Sequence, residues 1–564
     1  MHLAKKYRPL ERFWGIDRRR FLELSGLGAA AVIFGAGPYT EKSLARVRFQ
    51  DNPFKLGVAS GDPLSDGVVL WTRLAPDPTG RGGMPDRKVP VQWQIARDEG
   101  FRRVVRSGTA DAVPELGHSV HVEVGGLRPG REYYYRFKAG SDISPVGRTR
   151  TAPAPGDSVS QMSFAFASCQ QYEHGYYTAY RHMAEENLDL IIHLGDYIYE
   201  YGSDEYVAPE GNVRHHSGPE IVSLDDYRNR HAQYRTDEDL QAAHASAPWI
   251  VTWDDHEVEN NYADQISEDE IDPEEFLRRR AAAYQAYYEH MPLRRSAVPS
   301  GPDMQLYRRI GYGDLVEFDV LDTRQYRDNQ AAGDGLQPPN DEQADPSRSL
   351  TGERQERWLL DGLAASTARW KILAQQVFFA RLDFDPDSGE RFNMDAWDGY
   401  LGSRDRILGF IEENNVRNPI VITGDVHASW ASELKADFTE PESKTLGVEF
   451  VGTSIASGGD GSDVQDETEA ILAENPHIRF YNNYRGYVSC TAGPGEFRAD
   501  YRVVPYVQRT GAPATTRASF VVEDGRPGLN RDGGTSLADA RSRTSTTERD
   551  RIEPQRRAGA RHTR

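Results

Sequence analysis

The chain has 564 residues, with 67 Lys and Arg against 87 Asp and Glu, a formal net charge of −20 and 38% hydrophobic residues. That length exceeds what one hydrophobic core usually organises, so two or more domains are expected. The acidic balance argues against a general nucleic-acid or acidic-membrane binder; an anionic substrate would need positive charge supplied locally, by metal ions or a few arginines.

Residues 1–45 read as a targeting segment. Lys5, Lys6, Arg8 and Arg12 lead into Asp17-Arg18-Arg19-Arg20-Phe21-Leu22-Glu23, and a mildly apolar run follows from Leu24 to Ala36. Consecutive arginines, Phe-Leu and a weak apolar stretch resemble a twin-arginine export signal, with Asp17 and Glu23 standing where Ser/Thr and Lys are usual. The alternative is a membrane anchor, which needs about 20 apolar residues. The expected partner is therefore the twin-arginine export machinery, and the expected location is secreted, periplasmic or cell-surface. The two cysteines, Cys169 and Cys490, could form a disulfide after export. Residues 524–564 are rich in Gly, Arg, Ser and Thr without apolar periodicity, the composition of a flexible tail.

Residues 46–155 carry an all-β pattern. Alternating runs such as Val68-Val69-Leu70-Trp71-Thr72 and Val91-Gln92-Trp93-Gln94-Ile95 are separated by Gly, Pro and Asp turns. Leu127-Arg128-Pro129-Gly130-Arg131-Glu132-Tyr133 resembles the corner before a late strand of fibronectin type III modules, so an N-terminal fibronectin III/Ig-like β-sandwich is expected. No catalytic constellation is visible in it. A linker at 151–157 leads to a second domain, 156–523, where apolar runs end abruptly in polar residues. Phe164-Ala165-Phe166-Ala167 meets Ser168-Cys169; Leu190-Ile191-Ile192-His193-Leu194 meets Gly195-Asp196; Trp249 to Trp253 meets Asp254-Asp255-His256-Glu257; Pro419 to Thr423 meets Gly424-Asp425-Val426-His427. Helical patterns at 176–187, 273–290 and 352–367 lie between them. Open α/β sheets bind ligands beyond their strand ends, so a layered α/β domain with one site is expected.

As an ordered set these motifs resemble the calcineurin-like metallophosphoesterases, and in particular the PhoD-type alkaline phosphatases. The resemblance runs from about Phe54 to Val522. It rests on Gly57 to Pro63, Ala167-Ser168-Cys169, His193 to Tyr199, Trp253 to Glu257 and Thr423 to His427. It implies a layered β-sandwich core flanked by helices. It also implies a ferric iron accompanied by calcium, the calcium as two ions, and hydrolysis of phosphate mono- and diesters by a metal-held hydroxide attacking phosphorus in line.

The resemblance assigns roles residue by residue. Cys169 supplies a thiolate, which suits iron and not calcium; its competing role is a core cysteine or half of the disulfide. Asp196 bridges the ions. Tyr199 repeats the Gly-Asp-x-x-Tyr arrangement of purple acid phosphatases and supplies a phenolate to ferric iron, against a packing role. His427 offers an imidazole. Asp255 and Asp425 stand where the wider superfamily has Asn and His, and this exchange of ligands favours a hard cation such as calcium. Asn260, or its neighbour Asn261, offers a carbonyl oxygen. His256, beside Asp255, is the hydrogen-bond donor or general acid, or else only orients a ligand. Arg324 and Arg485 are candidates for phosphate contact, although arginines often serve structural ion pairs.

Small-molecule or lipid phosphate esters are the expected substrates, with no nucleic-acid partner. A phospholipase D-like phosphodiesterase of the same fold is the near alternative. From another class, an exported binding protein with structural metals would hydrolyse nothing.

Overall fold

A computed structural model describes residues 48–385 and 389–532. The targeting segment 1–45 and all but the first residues of the tail lie outside the described residues. Continuous apolar runs make the central strands. Leu190–His193 and Pro248–Val251 are buried at every position, as strands covered on both faces must be. Met162–Ala167 pairs parallel with Leu190–His193, which pairs parallel with Pro248–Val251.

These strands sit inside a ten-stranded sheet. Its order is Arg526–Arg531, Thr515–Glu523, Glu496–Val504, Arg485–Ala492, Met162–Ala167, Leu190–His193, Pro248–Val251, Val58–Leu64, Gly67–Arg73, Ser119–Val124. A second sheet of seven strands has the order Arg308–Tyr312, Val316–Val320, Trp370–Ala374, Pro419–Thr423, Thr445–Val451, Ser429–Lys435, Ile478–Asn482. The sheets face each other across one core, in which Phe164, Phe166, Ile192 and Ile250 meet Phe318, Ile372, Ile422 and Phe450.

Helices cover the outer faces. Ala165, Ile191, Trp249 and Val251 pack against Tyr180, Tyr227, Ala243 and Tyr284 of the helices Thr178–Glu185, Leu224–Arg235, Glu238–Ser246 and Pro273–His290. Leu373, Val421 and Val451 pack against Leu359, Leu363, Ile407 and Ile411 of Gly352–Ala365 and Leu401–Glu413. Local signals start these helices: Ser223 and Asp226 form a capping box, and Asp272 caps a helix with Pro273 at its first turn. The expected helical stretches are present at Thr178–Glu185, Pro273–His290 and Gly352–Ala365. No described helix is long and apolar enough to cross a membrane.

The N-terminal β region is built differently from a free module. Val58–Leu64, Gly67–Arg73 and Ser119–Val124 extend the large sheet, because Ser60 and Gly61 pair parallel with Pro248 and Trp249. A smaller sheet that includes Val89–Ala96, Val104–Ala112 and Glu132–Ala139 lies over them, with Val68, Leu70 and Val122 packed against Val91, Trp93 and Tyr135. One layer of the N-terminal region is thus an extension of the sheet that bears the site. Asp62 and Arg308, 2.8 Å apart, pin this extension to the seven-stranded sheet.

Candidate metal centre

The strand ends singled out in the sequence converge. Cys169 N–H donates to the Gly195 carbonyl and Gln170 N–H to the Asp196 carbonyl, each at 3.0 Å, which locks two neighbouring strand-end loops together. Gly195 lies at φ +113°, and a Cβ there would meet Asp254 Cβ at 2.4 Å, so glycine is what lets the Asp196 loop touch a third loop, the one that carries Asp254. Four ligand candidates adopt left-handed backbone: Cys169 (φ 58°), Asp196 (55°), Asp425 (62°) and His427 (52°). That conformation is uncommon for residues with a Cβ, and it persists where the surroundings over-determine it.

Two groups of possible ligand atoms result. Cys169, Asp196 and His427 lie within 4.8 Å of one another, and so do Asp196, Asp255 and His256. Asp196 belongs to both. The Tyr199 hydroxyl donates to Asp196 Oδ2 at 2.8 Å, lies 3.1 Å from His427 Nε2, and accepts from Ser457 Oγ at 2.8 Å. Asp425 reaches the other group through Arg324, whose Nη2 lies 3.8 Å from Asp425 Oδ1 and 3.7 Å from Asp255 Oδ1.

The electrostatics fit cations. Asp196 Oδ1, Asp254 Oδ2 and Asp255 Oδ1 are buried with no hydrogen-bond partner. Burial, with the neighbouring carboxylates, pushes Asp196, Asp425, Cys169 and Tyr199 well above their ordinary values. A buried cluster of acids so short of positive charge is what metal ions resolve, since a bound cation favours the deprotonated ligands. Burial would raise Asp255 too, but Arg324 and His256 hold it below the carboxylate range.

Cys169 and Cys490 are both free thiols. The disulfide alternative is therefore corrected: Cys490 lies opposite Phe164 in the ten-stranded sheet and is buried in the core between the sheets, while Cys169 stands in the site. The Asn260 amide donates to Glu268 at 2.7 Å and its backbone N–H to Glu200. Its neighbour Asn261 donates its N–H to Asp255 Oδ2 at 2.7 Å, so it steadies a ligand through the backbone.

Both arginines have protein partners, while Arg324 Nη2 and Arg485 Nε are left without a hydrogen-bond partner. Arg324, fully buried, pairs with Asp254 and with Asp395 at 2.8 Å. Arg485 donates to the carbonyls of His427 at 2.5 Å, Ser457 at 2.9 Å and Asn483 at 2.7 Å. The geometry gives them the work of holding ligands and ligand-bearing backbone.

Three residues were not assigned roles from sequence. Glu257 accepts backbone N–H bonds from Asp196, Tyr197 and Asp254. Glu200 accepts from His256 Nδ1 at 2.8 Å. Ser457 supports Tyr199. Glu200 and Glu257 adjoin the motifs, and that adjacency was the available signal; Ser457, 258 residues from Tyr199, offered none.

The profile of the family described as PhoD-like phosphatase matches residues 164–501, and the one described as PhoD-like phosphatase, N-terminal domain, matches residues 40–153. The chain belongs to the PhoD-like phosphatase family. It is 58% identical over 540 residues to Alkaline phosphatase D of Bacillus subtilis (strain 168), covering 95% of this chain and 92% of the relative. A solved structure titled "Structure of PhoD" matches with a TM-score of 0.86 at 61% identity, over 87% of this chain and 94% of that one. As a PhoD-like phosphatase the protein is a hydrolase of phosphoric ester bonds.

Proposed function

We propose that this PhoD-like phosphatase is an exported, metal-dependent phosphoesterase acting on phosphate mono- and diesters, built on a metallophosphoesterase-type core with a fibronectin III/Ig-like N-terminal layer. The observation that carries the reading is Asp196, a buried carboxylate shared by two groups of ligand atoms and left with one oxygen unpartnered. A carboxylate with lone pairs on two oxygens is the side chain suited to bridging two ions.

Donor chemistry divides the site. The side with Cys169, Tyr199 and His427 suits iron; the side with Asp255 and Asp425 suits calcium. When bound, such ions lower the pKa of water and neutralise charge on phosphoryl oxygens. The chain's own residues complete the site. Glu200 holds His256 Nδ1, which leaves Nε2 as the atom able to donate to a phosphoryl or leaving-group oxygen. Arg324 and Glu257 keep the carboxylates and their backbone in place.

A specific observation favours diesters, lipid diesters among them. The rings of Tyr199 and Tyr201 pack on His256 at 4.2 and 5.5 Å, an aromatic surround suited to an apolar leaving group.

The test is purification without chelator, metal analysis, and parallel assays on an aryl monoester, an aryl diester and phosphatidylcholine. Hydrolysis should disappear on metal removal and return with iron and calcium. Full activity in Asp196→Ala would overturn the reading, and no hydrolysis of any ester with both metals restored would favour a binding protein. The export reading rests on Arg18-Arg19-Arg20-Phe21-Leu22; replacing the arginines by lysines should leave the protein inside the cell.

A further inference from the structure

Arg235 ends the helix Leu224–Arg235 and is fully buried, yet its charge has no acidic partner within ion-pair distance among the described residues. Asp237, the nearest acid along the chain, pairs with Arg214 at 2.7 Å. The Arg235 guanidinium lies 4.3 Å over the Trp71 ring, and Nη1 is 3.4 Å from the Tyr197 hydroxyl. Nε and Nη2 have no hydrogen-bond partner.

The surroundings repeat this deficit. His231, one turn earlier on the same helix face, is fully buried, stacks on His290 at 4.8 Å, and has both ring nitrogens unpartnered. The charges acting on His231 belong to Arg73, Arg235 and Arg230, all of one sign. Tyr135, also fully buried, has Arg235 as a charged neighbour and Ser60 beside its hydroxyl. In the chain Arg235–Tyr197–His244 the protons run one way. Arg235 donates to the Tyr197 oxygen, Tyr197 donates to His244 Nε2 at 2.8 Å, and the proton left on His244 Nδ1 has no acceptor.

An interior so supplied with donors and short of acceptors needs a counter-charge, because a buried cation is costly unless paired and hydrogen-bonded. The cation–π contact with Trp71 offsets only part of that cost. The side chains that contact the guanidinium, Trp71 and Tyr197, are themselves buried, which suits a single-atom anion and not a phosphate or an organic acid.

We propose that Arg235, with His231, forms a halide-binding site where the N-terminal strands meet the helices of the catalytic region. Chloride held there clamps three parts of the fold: the strand Gly67–Arg73 that carries Trp71, the helix Leu224–Arg235, and the turn holding Tyr197, the residue after Asp196. The site is separate from the metal centre and independent of the ester hydrolysed.

The metal-loaded protein tests this in two ways. Thermal melts at constant ionic strength should rise with chloride or bromide relative to methanesulfonate, and the rise should saturate with concentration. Arg235→Met, a neutral substitution of similar length, should melt at the same temperature in all three salts. Crystals equilibrated in bromide should show an anomalous peak against the Arg235 guanidinium, with no variant needed. Ordered water at that position without a bromide peak overturns the site, and so does an equal halide response in the parent and Arg235→Met.

Discussion

Glu257 carries the backbone of Asp196: its Oε2 accepts the Asp196 N–H at 3.1 Å and the Asp254 N–H at 2.8 Å, while Oε1 accepts the Tyr197 N–H at 2.5 Å. One buried carboxylate thus positions two strand-end loops, including the residue shared by both ligand groups. Glu257→Gln puts an amide donor where only N–H groups arrive. It should cost about 1–3 kcal/mol of stability and more than about tenfold in turnover. Chemical denaturation, metal analysis and kcat on one preparation check this; unchanged metal content with unchanged kcat contradicts it.

Tyr199 and Cys169 carry the case for iron. If the phenolate binds ferric iron the purified protein is coloured, and Tyr199→Phe should bleach the visible band while the fold survives, because the ring's packing on His256 is kept. Cys169→Ser should lower iron content and leave calcium bound, since thiolate is the soft donor of the set. Visible spectra with elemental analysis decide it. A colourless, iron-free and fully active parent protein would remove both residues from the metal set.

His256, held by Glu200, is the proposed donor to the leaving group. His256→Asn should lower kcat about 10²–10⁴-fold for alkyl leaving groups and much less for an activated aryl group that departs unprotonated. Metal content should not change. Equal losses on both substrates would instead place His256 among the ligands or their supports. Glu200→Gln should show the same leaving-group pattern with smaller losses.

Asp319, on the strand Val316–Val320, accepts from Arg309 at 2.6 Å through Oδ1, while its Oδ2 has no partner. Burial outweighs Arg309 and pushes the carboxyl up to about 7. The unfolded value is about 4, so the folded chain binds the extra proton between the two. This contribution to stability is complete below about pH 4 and is lost as pH rises through about 7. Asp319→Asn should remove that slope, so the variant gains on the parent between about pH 4 and pH 7. Thermal melts across that range measure it, and a constant gap between the two proteins counts against it.

Much of the centre was legible before any fold was known. Cys169, Asp196, Asp255, Asp425 and His427 each follow a strand-like apolar run, and a buried strand fixes the direction of the residue that ends it. The bounds of Pro273–His290 were legible for the same local reason, since Asp272-Pro273 acts within one turn. The long-range partners were not legible. Nothing near Arg485 announces that its guanidinium is spent on the carbonyl of His427, and nothing near Ser457 points to Tyr199. The N-terminal region read as a module of its own because alternation reports which face is buried and is silent about which strand lies alongside.

The sequence by itself determined which chemical groups stand at the strand ends, because residue type and burial pattern are local properties. Only the tertiary structure decided that Asp196 joins two ligand groups, that Arg324 and Arg485 hold ligands and ligand-bearing backbone, and that Val58–Leu64 extends the sheet bearing the site. Those outcomes depend on distances between segments far apart in the chain, and such distances are set by how whole sheets pack.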